Sequence, residues 1–305
     1  MAIPDFQSLM LPVLKIGATG EVKARDAVDL IASQFNLTEE ERDEKLPSGT
    51  DTYISNRTLW SVTYLVKAGL LVRPKRGYFT ITDKGKEVLS SNPPTINVKF
   101  LKQFPEFVEF HTAKKPKTAA GGTAADLEDD ETETPEERIG TAYGELLADL
   151  RSEVLNRVLH ASPEFFEKLM VSLLVSMGYG GSINDAGQHV GKSGDEGVDG
   201  VINEDKLGLD IIYVQAKRYA TDNTIGRPEI QKFAGSLIGK GATKGVFVTT
   251  STFSKQAVEY AERVPQRIIL IDGNKLTRLM VENNVGVRLD RAVELKRVDE
   301  DFFIE

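Results

Sequence analysis

The sequence predicts an α/β protein with two folded domains joined by a flexible linker. Three observations support this prediction: apolar residues at helical spacing before position 111, a polar stretch at 112–137, and short apolar strands alternating with helical segments after it. The length of 305 residues also fits about two domains. We therefore divide the chain into an N-terminal domain at 1–111, an acidic linker at 112–137 and a C-terminal domain at 138–305.

The N-terminal domain shows three helical patterns followed by a β-hairpin. The helical patterns lie at 6–16, 27–35 and 59–70, and Gly69 ends the third, as glycine often does at a helix C-terminus. A strand, a basic turn and a second strand follow at 70–82. This order is typical of a winged helix-turn-helix, with the recognition helix at about 55–68 and the wing tip at 74–77. The only tryptophan, Trp60, is expected to pack in the core of this domain.

Positive charge is concentrated on the predicted recognition helix and wing, although the whole chain has a net charge of −8. Residues 52–86 include seven basic residues and one acidic residue, so the segment has a net charge of +6. The basic residues are Arg57, Lys67, Arg73, Lys75, Arg76, Lys84 and Lys86. Such a patch attracts a phosphate backbone whatever the overall charge. We expect Arg57, Arg73, Lys75 and Arg76 to contact nucleic acid. The alternative is a solvated hairpin on a winged helix that binds protein.

The composition excludes several classes of site. The chain has no cysteine and three histidines, which excludes disulfides, zinc fingers and cysteine nucleophiles. A bound metal is therefore expected to be a hard cation with oxygen ligands, such as Mg²⁺, Mn²⁺ or Ca²⁺. No apolar run reaches the roughly 20 residues that span a bilayer, and residues 1–5 lack the features of a secretory signal. Both observations favour the cytoplasm.

The C-terminal domain is predicted to form a mixed sheet with helices on both faces. Helices are predicted at about 136–160, 163–177, from 228, 254–263 and 273–283. Strands are predicted near 201–202 and at 211–217, 245–250 and 268–272. Ser162 and Pro163 form a typical helix start. A hairpin followed by βα units requires both antiparallel and parallel strand pairs.

Four polar side chains are candidates for catalysis. Gln215 and Lys217 share one face of the strongest strand, and a hairpin would bring Asp199 beside them. Glu167 lies on the apolar side of its helix, where a carboxylate usually has a cationic partner. A carboxylate, an amide oxygen and an ammonium can together bind a hard cation and a phosphodiester. The alternative is an ordinary strand whose charged residues reach solvent.

Other residues near this group have weaker signals. Arg227 precedes a helix-opening proline and is a candidate for contact with the DNA backbone. His189 lies beside a glycine-rich loop and is expected to be solvated. The hydroxyls at 249–251 either bind phosphate at a strand end or, as we expect, cap a helix.

Several ordered motifs resemble the Mrr family of restriction endonucleases over almost the whole chain outside the linker. They are GDEGVDG at 194–200, VQAKR at 214–218, GRPE at 226–229, GVFVTTS at 245–251, and FFEKL at 165–169 with MGYGG at 177–181. The resemblance implies a restriction-endonuclease-like fold of the PD-(D/E)xK type, with glutamine in place of the second acid. It also implies Mg²⁺-dependent cleavage of double-stranded DNA, typically methylated, in a type IV restriction system; Mn²⁺ is a possible substitute.

The resemblance also assigns roles to residues. It makes Asp199 the principal metal ligand, with Gln215 and the Ala216 carbonyl as further oxygen ligands, Lys217 the catalytic lysine and Glu167 a supporting carboxylate. One such site cuts one strand, so a double-strand break calls for a homodimer or a higher homo-oligomer. Two alternatives remain open: a DNA repair or junction-resolving nuclease, and a non-catalytic DNA-binding regulator.

Overall fold

The computed structural model describes residues 3–47, 49, 51–113, 132–180, 198–204, 209–220, 222–299 and 302. The chain forms two compact units. The first comprises Met1–Glu145 with Arg297–Glu305, and the second comprises Leu146–Lys296. Both units contain helices and strands, as the predicted α/β class requires.

The first unit contains helices and a small antiparallel sheet. Its helices are α1 (Phe6–Gly17), α2 (Ala24–Gln34), α3 (Glu39–Asp43), α4 (Tyr53–Lys67), α5 (Asp83–Ser90), α6 (Val98–Leu101) and α7 (Pro105–Ala113). Its strands are β1 (Val22–Lys23), β2 (Leu71–Val72) and β3 (Tyr78–Ile81), in the order β1-β3-β2. The predicted order of helices and hairpin is confirmed: α4 occupies the segment predicted to be the recognition helix, and the β2–β3 turn occupies the segment predicted to be the wing tip. The short elements β1 and α3 were not predicted.

The core of the first unit explains why these segments fold together. Helices α1 and α4 contribute the buried side chains Leu9, Val13, Val62 and Leu65, which recur every three or four residues. Gly69 follows α4 with a φ of +72°, which ends the helix and turns the chain into β2. Trp60 packs against this core, as predicted, and its ring lies edge-on to Tyr64.

The structure differs from the predicted domain boundaries on both sides of the linker. Helix α7 extends to Ala113, and a long helix, α8 (Pro135–His160), begins inside the segment predicted to be flexible. Thr134 and Glu137 form a capping box at its start: the Thr134 hydroxyl accepts from the Glu137 N–H at 3.3 Å, and the Glu137 carboxylate accepts from the Thr134 N–H at 3.1 Å. Residues 132–137 are thus structured, and residues 114–131 of the predicted linker lie outside the described residues.

The second unit contains the rest of α8 and a four-stranded mixed sheet. Its further elements are α9 (Pro163–Ser176), β4 (Gly200–Asn203), β5 (Ile211–Lys217), α10 (Arg227–Gly239), β6 (Lys244–Thr249), α11 (Lys255–Arg263), β7 (Arg267–Ile271) and α12 (Gly273–Glu282). The strand order is β4-β5-β6-β7, with β4 antiparallel to β5 and the other two pairs parallel. The predicted hairpin followed by βα units is confirmed.

Helices cover both faces of this sheet, and each face has its own apolar cluster. On one face α9 and α12 pack on strand residues such as Val214 and Val248. On the other, α10 and α11 pack on Phe247 and Ile268. Because neighbouring residues of a strand point to opposite faces, Val214 and Gln215 belong to different faces. This alternation decides how the candidate site is assembled.

None of the helices in the described part of the chain is both long enough and apolar enough to cross a membrane.

Candidate functional site

Asp199 is held against the backbone of β5, one residue before β4 begins. Its N–H donates to the Val214 carbonyl at 2.9 Å, and its carboxylate Oδ2 accepts from the Ala216 N–H at 2.7 Å. The β4–β5 hairpin, in which Gly200 pairs with Val214, creates this arrangement. Asp199 is thus fixed beside the strand that carries Gln215 and Lys217, as the sequence predicted.

Gln215 and Lys217 lie on the sheet face covered by α10 and α11. In the parallel pairing with β6, Gln215 is level with Phe247 and Lys217 is level with Thr249. Gln215 is only 3% exposed, whereas Lys217, the last residue of β5, is half-buried. The lysine therefore stands at the end of the strand, where its long side chain has access to solvent.

Glu167 approaches the same hairpin from the other face of the sheet. Its half-buried side chain lines a small cavity of α9, β4 and β5, together with Met170, Val171, Asp199 and Ala216. The side chains of Gln215 and Lys217 start from the opposite face, so the four candidates do not share one face. Asp199, at the hairpin, links the two sides.

The surroundings of Glu167 disfavour its ionised form. Burial raises the pKa of Glu167 above its ordinary value, and the negative charges of Asp199 and then Glu164 raise it further. The positive charge of Lys217 acts on this pKa in the opposite direction. Two carboxylates that repel each other beside a lysine form a site that would be stabilised by a cation.

The donor set fits a hard divalent cation bound through few protein ligands. The Asp199 and Glu167 carboxylates line one cavity, whereas the buried Gln215 amide lies on β5 on the opposite face of the sheet. Mg²⁺ is commonly held by one or two carboxylates, with water and substrate phosphate completing the shell. Among the described residues, no three His, Cys, Asp or Glu side chains are grouped as a metal site. Asp199 and Glu167 are the two carboxylates here that could hold such a cation.

The sequence reasoning missed Arg218, which follows Lys217. Its guanidinium Nη1 donates to the carbonyls of Leu159 at 2.6 Å and Ala161 at 2.5 Å. Leu159 lies in the last turn of α8, Ala161 follows the helix, and Ser162 caps α9. Arg218 therefore ties the end of β5 to the turn that positions the helix of Glu167. The basic pair at 217–218 is the only sequence signal, and it gives Arg218 no role of its own.

The guanidinium of Arg57 is bound by other residues of the first unit. Its Nε donates to Glu137 at 2.6 Å, and its Nη1 donates to the carbonyls of Ile3 at 2.7 Å and Pro4 at 3.1 Å. Glu137 is 3% exposed, so this is a buried ion pair inside the first unit. The expectation that Arg57 presents its guanidinium to a duplex is not supported by this arrangement.

The wing residues lie where predicted, but acidic residues from outside the stretch offset part of its net charge of +6. Arg73 is exposed and donates to the Thr63 hydroxyl at 2.9 Å. Lys75 pairs with Glu21 and lies 4.1 Å above the ring of Tyr78; the hydrogen bond that Lys75 donates to Glu21 raises the pKa of Lys75. Arg76 is also exposed. Acids distant in sequence, Glu21, Glu106 and Glu137, pair with basic residues of the stretch.

Some of the remaining candidate residues lie in the described part of the chain, and others lie outside it. Arg227 opens α10, is exposed, and stacks over the ring of Tyr260 at 5.1 Å. The hydroxyls at 249–251 are buried and cap no helix, because Ser254 caps α11 and Asp272 caps α12. His189 and the motif at 194–197 lie outside the described residues.

Comparison with known families gives two matches. Residues 158–280 match the family described as "Restriction endonuclease", and residues 6–91 match the family described as "Mrr N-terminal domain". The curated protein "Type IV methyl-directed restriction enzyme EcoKMrr" of Escherichia coli (strain K12) is 37% identical over 309 residues. That alignment covers 99% of this chain and 100% of the relative.

Two solved structures are similar at low identity. One is "MspJI Restriction Endonuclease in Complex with 27-mer Oligonucleotide", with a TM-score of 0.34 and 16% identity over 68% of this chain and 49% of the other. The other is "DNA modification-dependent restriction endonuclease AspBHI", with a TM-score of 0.36 and 18% identity over 72% of this chain and 57% of the other.

Proposed function

Because this chain belongs to the Mrr family of restriction endonucleases, we propose that it hydrolyses phosphodiester bonds of methylated double-stranded DNA with the help of Mg²⁺. The observation that carries the proposal is the fixed position of Asp199 on the strand of Gln215 and Lys217. Asp199 borders β5, which carries the Gln215 amide and the Lys217 ammonium on one face of the sheet, and the Glu167 carboxylate approaches from the other face.

Each of these residues would have a distinct role in the reaction. Asp199, Gln215 and the Ala216 carbonyl would hold the cation, which when bound supplies Lewis acidity toward a phosphate oxygen and toward water. The Lys217 ammonium would offset the charge that develops on the phosphate oxygens and orient the attacking water. Glu167 would support the cation or the water from the opposite face. Its raised pKa fits this role, because a cation beside the two carboxylates would favour the ionised form of both.

The exposed basic residues support DNA as the substrate. Arg73, Lys75 and Arg76 on the wing and Arg227 at the start of α10 are exposed, and we propose that they contact phosphates, which orients a protein without reading sequence. The preference for methylated DNA is proposed from the name of the relative, which is described as methyl-directed. Cutting both strands further requires two sites, which a homodimer would supply.

A cleavage assay tests the proposal directly. The full chain is incubated with two plasmids of identical sequence, one methylated and one unmethylated, in Mg²⁺ or in chelator. We expect cleavage of the methylated plasmid in Mg²⁺, slower cleavage of the other plasmid, and none in chelator. Absence of cleavage of both plasmids under all metal conditions would contradict the proposed activity and favour a DNA-binding regulator.

A further inference from the structure

A buried hydroxyl holds the chain where it leaves the sheet after Lys217. The Oγ1 of Thr250 accepts from the Tyr219 N–H at 2.9 Å and donates to the Tyr219 carbonyl at 2.6 Å. A single side chain thus satisfies both backbone groups of the residue that lies two positions beyond Lys217. The bond pair acts as a clamp between the end of β5 and the end of β6.

The position of Thr250 is itself tightly restricted. Thr250 is 1% exposed and directly follows β6. Helix α12 begins against its backbone: a Cβ added at Gly273 would lie 2.5 Å from the Thr250 carbonyl oxygen, and the Gly273 N–H donates to the Ser251 carbonyl at 2.9 Å. The hydroxyl therefore projects from a backbone that cannot shift without moving α12.

Neighbouring contacts hold the same exit segment but do not duplicate the clamp. The Ser251 hydroxyl donates to the Asn223 carbonyl, further along the segment. Arg218 donates to the end of α8, on the side of Glu167. Within the described residues, only Thr250 binds the backbone of Tyr219 through its side chain. Its buried hydroxyl is committed to this contact, so phosphate binding does not explain it.

We propose that Thr250 is a positioning residue that fixes the ammonium of Lys217 in the site. Lys217 is the last residue of β5 and pairs with Thr249 at the last rung shared with β6. Strand ends open readily unless the chain beyond them is tied down. A shift of about 1 Å in a catalytic group costs up to about a hundredfold in rate. The inference rests on the proposed nuclease activity only where it concerns Lys217.

Three variants of the full chain test this role. Thr250→Val keeps the side-chain shape and removes the hydroxyl, and Thr250→Ser keeps the hydroxyl. Thr277→Val is the matched control, because Thr277 is also a buried threonine of the second unit, but its hydroxyl bonds only within its own helix. We expect Thr250→Val to lower kcat about tenfold to a hundredfold with KM for DNA unchanged. Thr250→Ser should restore the rate, and Thr277→Val should keep it.

A second measurement does not depend on cleavage. Amide hydrogen exchange at Tyr219, without DNA, should be faster in Thr250→Val than in the wild type and in Thr277→Val. Unchanged exchange at Tyr219 would overturn the clamp, and a wild-type kcat in Thr250→Val would overturn its role in catalysis. If the wild type itself cleaves no DNA, the proposed function fails, while the exchange at Tyr219 still decides whether the clamp exists.

Discussion

Replacing Glu137 by alanine is expected to destabilise the first unit strongly. The Glu137 carboxylate pairs with the Arg57 guanidinium and accepts from the N–H of Thr134. Glu137 is 3% exposed, whereas the Arg57 side chain is 16% exposed. The substitution would leave a largely buried guanidinium with its two carbonyl partners, Ile3 and Pro4, but without a counter-charge.

The expected magnitude follows from these contacts. Removing one partner of a buried ion pair costs about 3–5 kcal/mol, because the other charge stays buried and uncompensated. The two remaining carbonyl bonds and the partial exposure of Arg57 favour the lower end, about 3 kcal/mol. For a unit of roughly 150 residues, each kcal/mol lowers Tm by about 2–4 °C. We therefore expect a decrease of about 6–12 °C for the first unit.

Trp60 provides the assay, because it is the only tryptophan and lies in the first unit. Its fluorescence in the full chain reports the unfolding of that unit separately from the second. Glu145→Ala is the matched control, since Glu145 is an exposed acid on the same helix and in the same unit. A Trp60 transition in Glu137→Ala within 2 °C of that in Glu145→Ala would refute the reasoning.

Three further predictions concern charge and assembly. Replacing Arg73, Lys75 and Arg76 together by glutamine should make the plot of log K for DNA against log salt less steep by about 2–3, since each phosphate contact contributes about 0.9; an unchanged slope in a filter-binding titration would place the DNA contacts elsewhere. The raised pKa of Glu167 means that the folded state holds its proton more tightly than the unfolded state, so this group costs stability as pH rises above its unfolded pKa. In chelator, Glu167→Gln should therefore be more stable than the wild type at pH 8, with the difference vanishing below about pH 4; an equal difference at both pH values, measured by calorimetry, would contradict the burial of this carboxylate. Finally, sedimentation with DNA should give a homodimer, and a strict monomer that only nicks DNA at high protein concentration would contradict the paired-site proposal.

The periodic part of the fold was predictable from the sequence. The alternation in 211–217 and the later βα units define the sheet of the second unit, because period-two and period-3.6 patterns are local properties. The same alternation predicted that Gln215 and Lys217 share a face. It could not show that Glu167 approaches from the other face, because that depends on how α9 packs on the sheet.

The contacts that the sequence missed join residues distant in the chain. Arg57 was assigned to DNA from local charge, but its partner Glu137 lies 80 positions later. The spacing of Thr134 and Glu137 is a capping-box signal that could have moved the linker boundary, had it not lain in a segment dominated by acids. No comparable local pattern marks the bond between Thr250 and Tyr219, because it depends on the parallel pairing of β5 and β6.

The most direct test of the account is the single-turnover cleavage rate of Lys217→Ala on methylated DNA, measured beside its affinity for the same DNA. The control is Lys255→Ala, which removes a lysine that is 88% exposed. Because Lys217 is proposed to act on the reacting phosphate, cleavage should fall below detection while the affinity stays within about threefold of the wild type. Lys255→Ala should cleave at the wild-type rate. Cleavage by Lys217→Ala at a rate close to that of the wild type would contradict the proposed site.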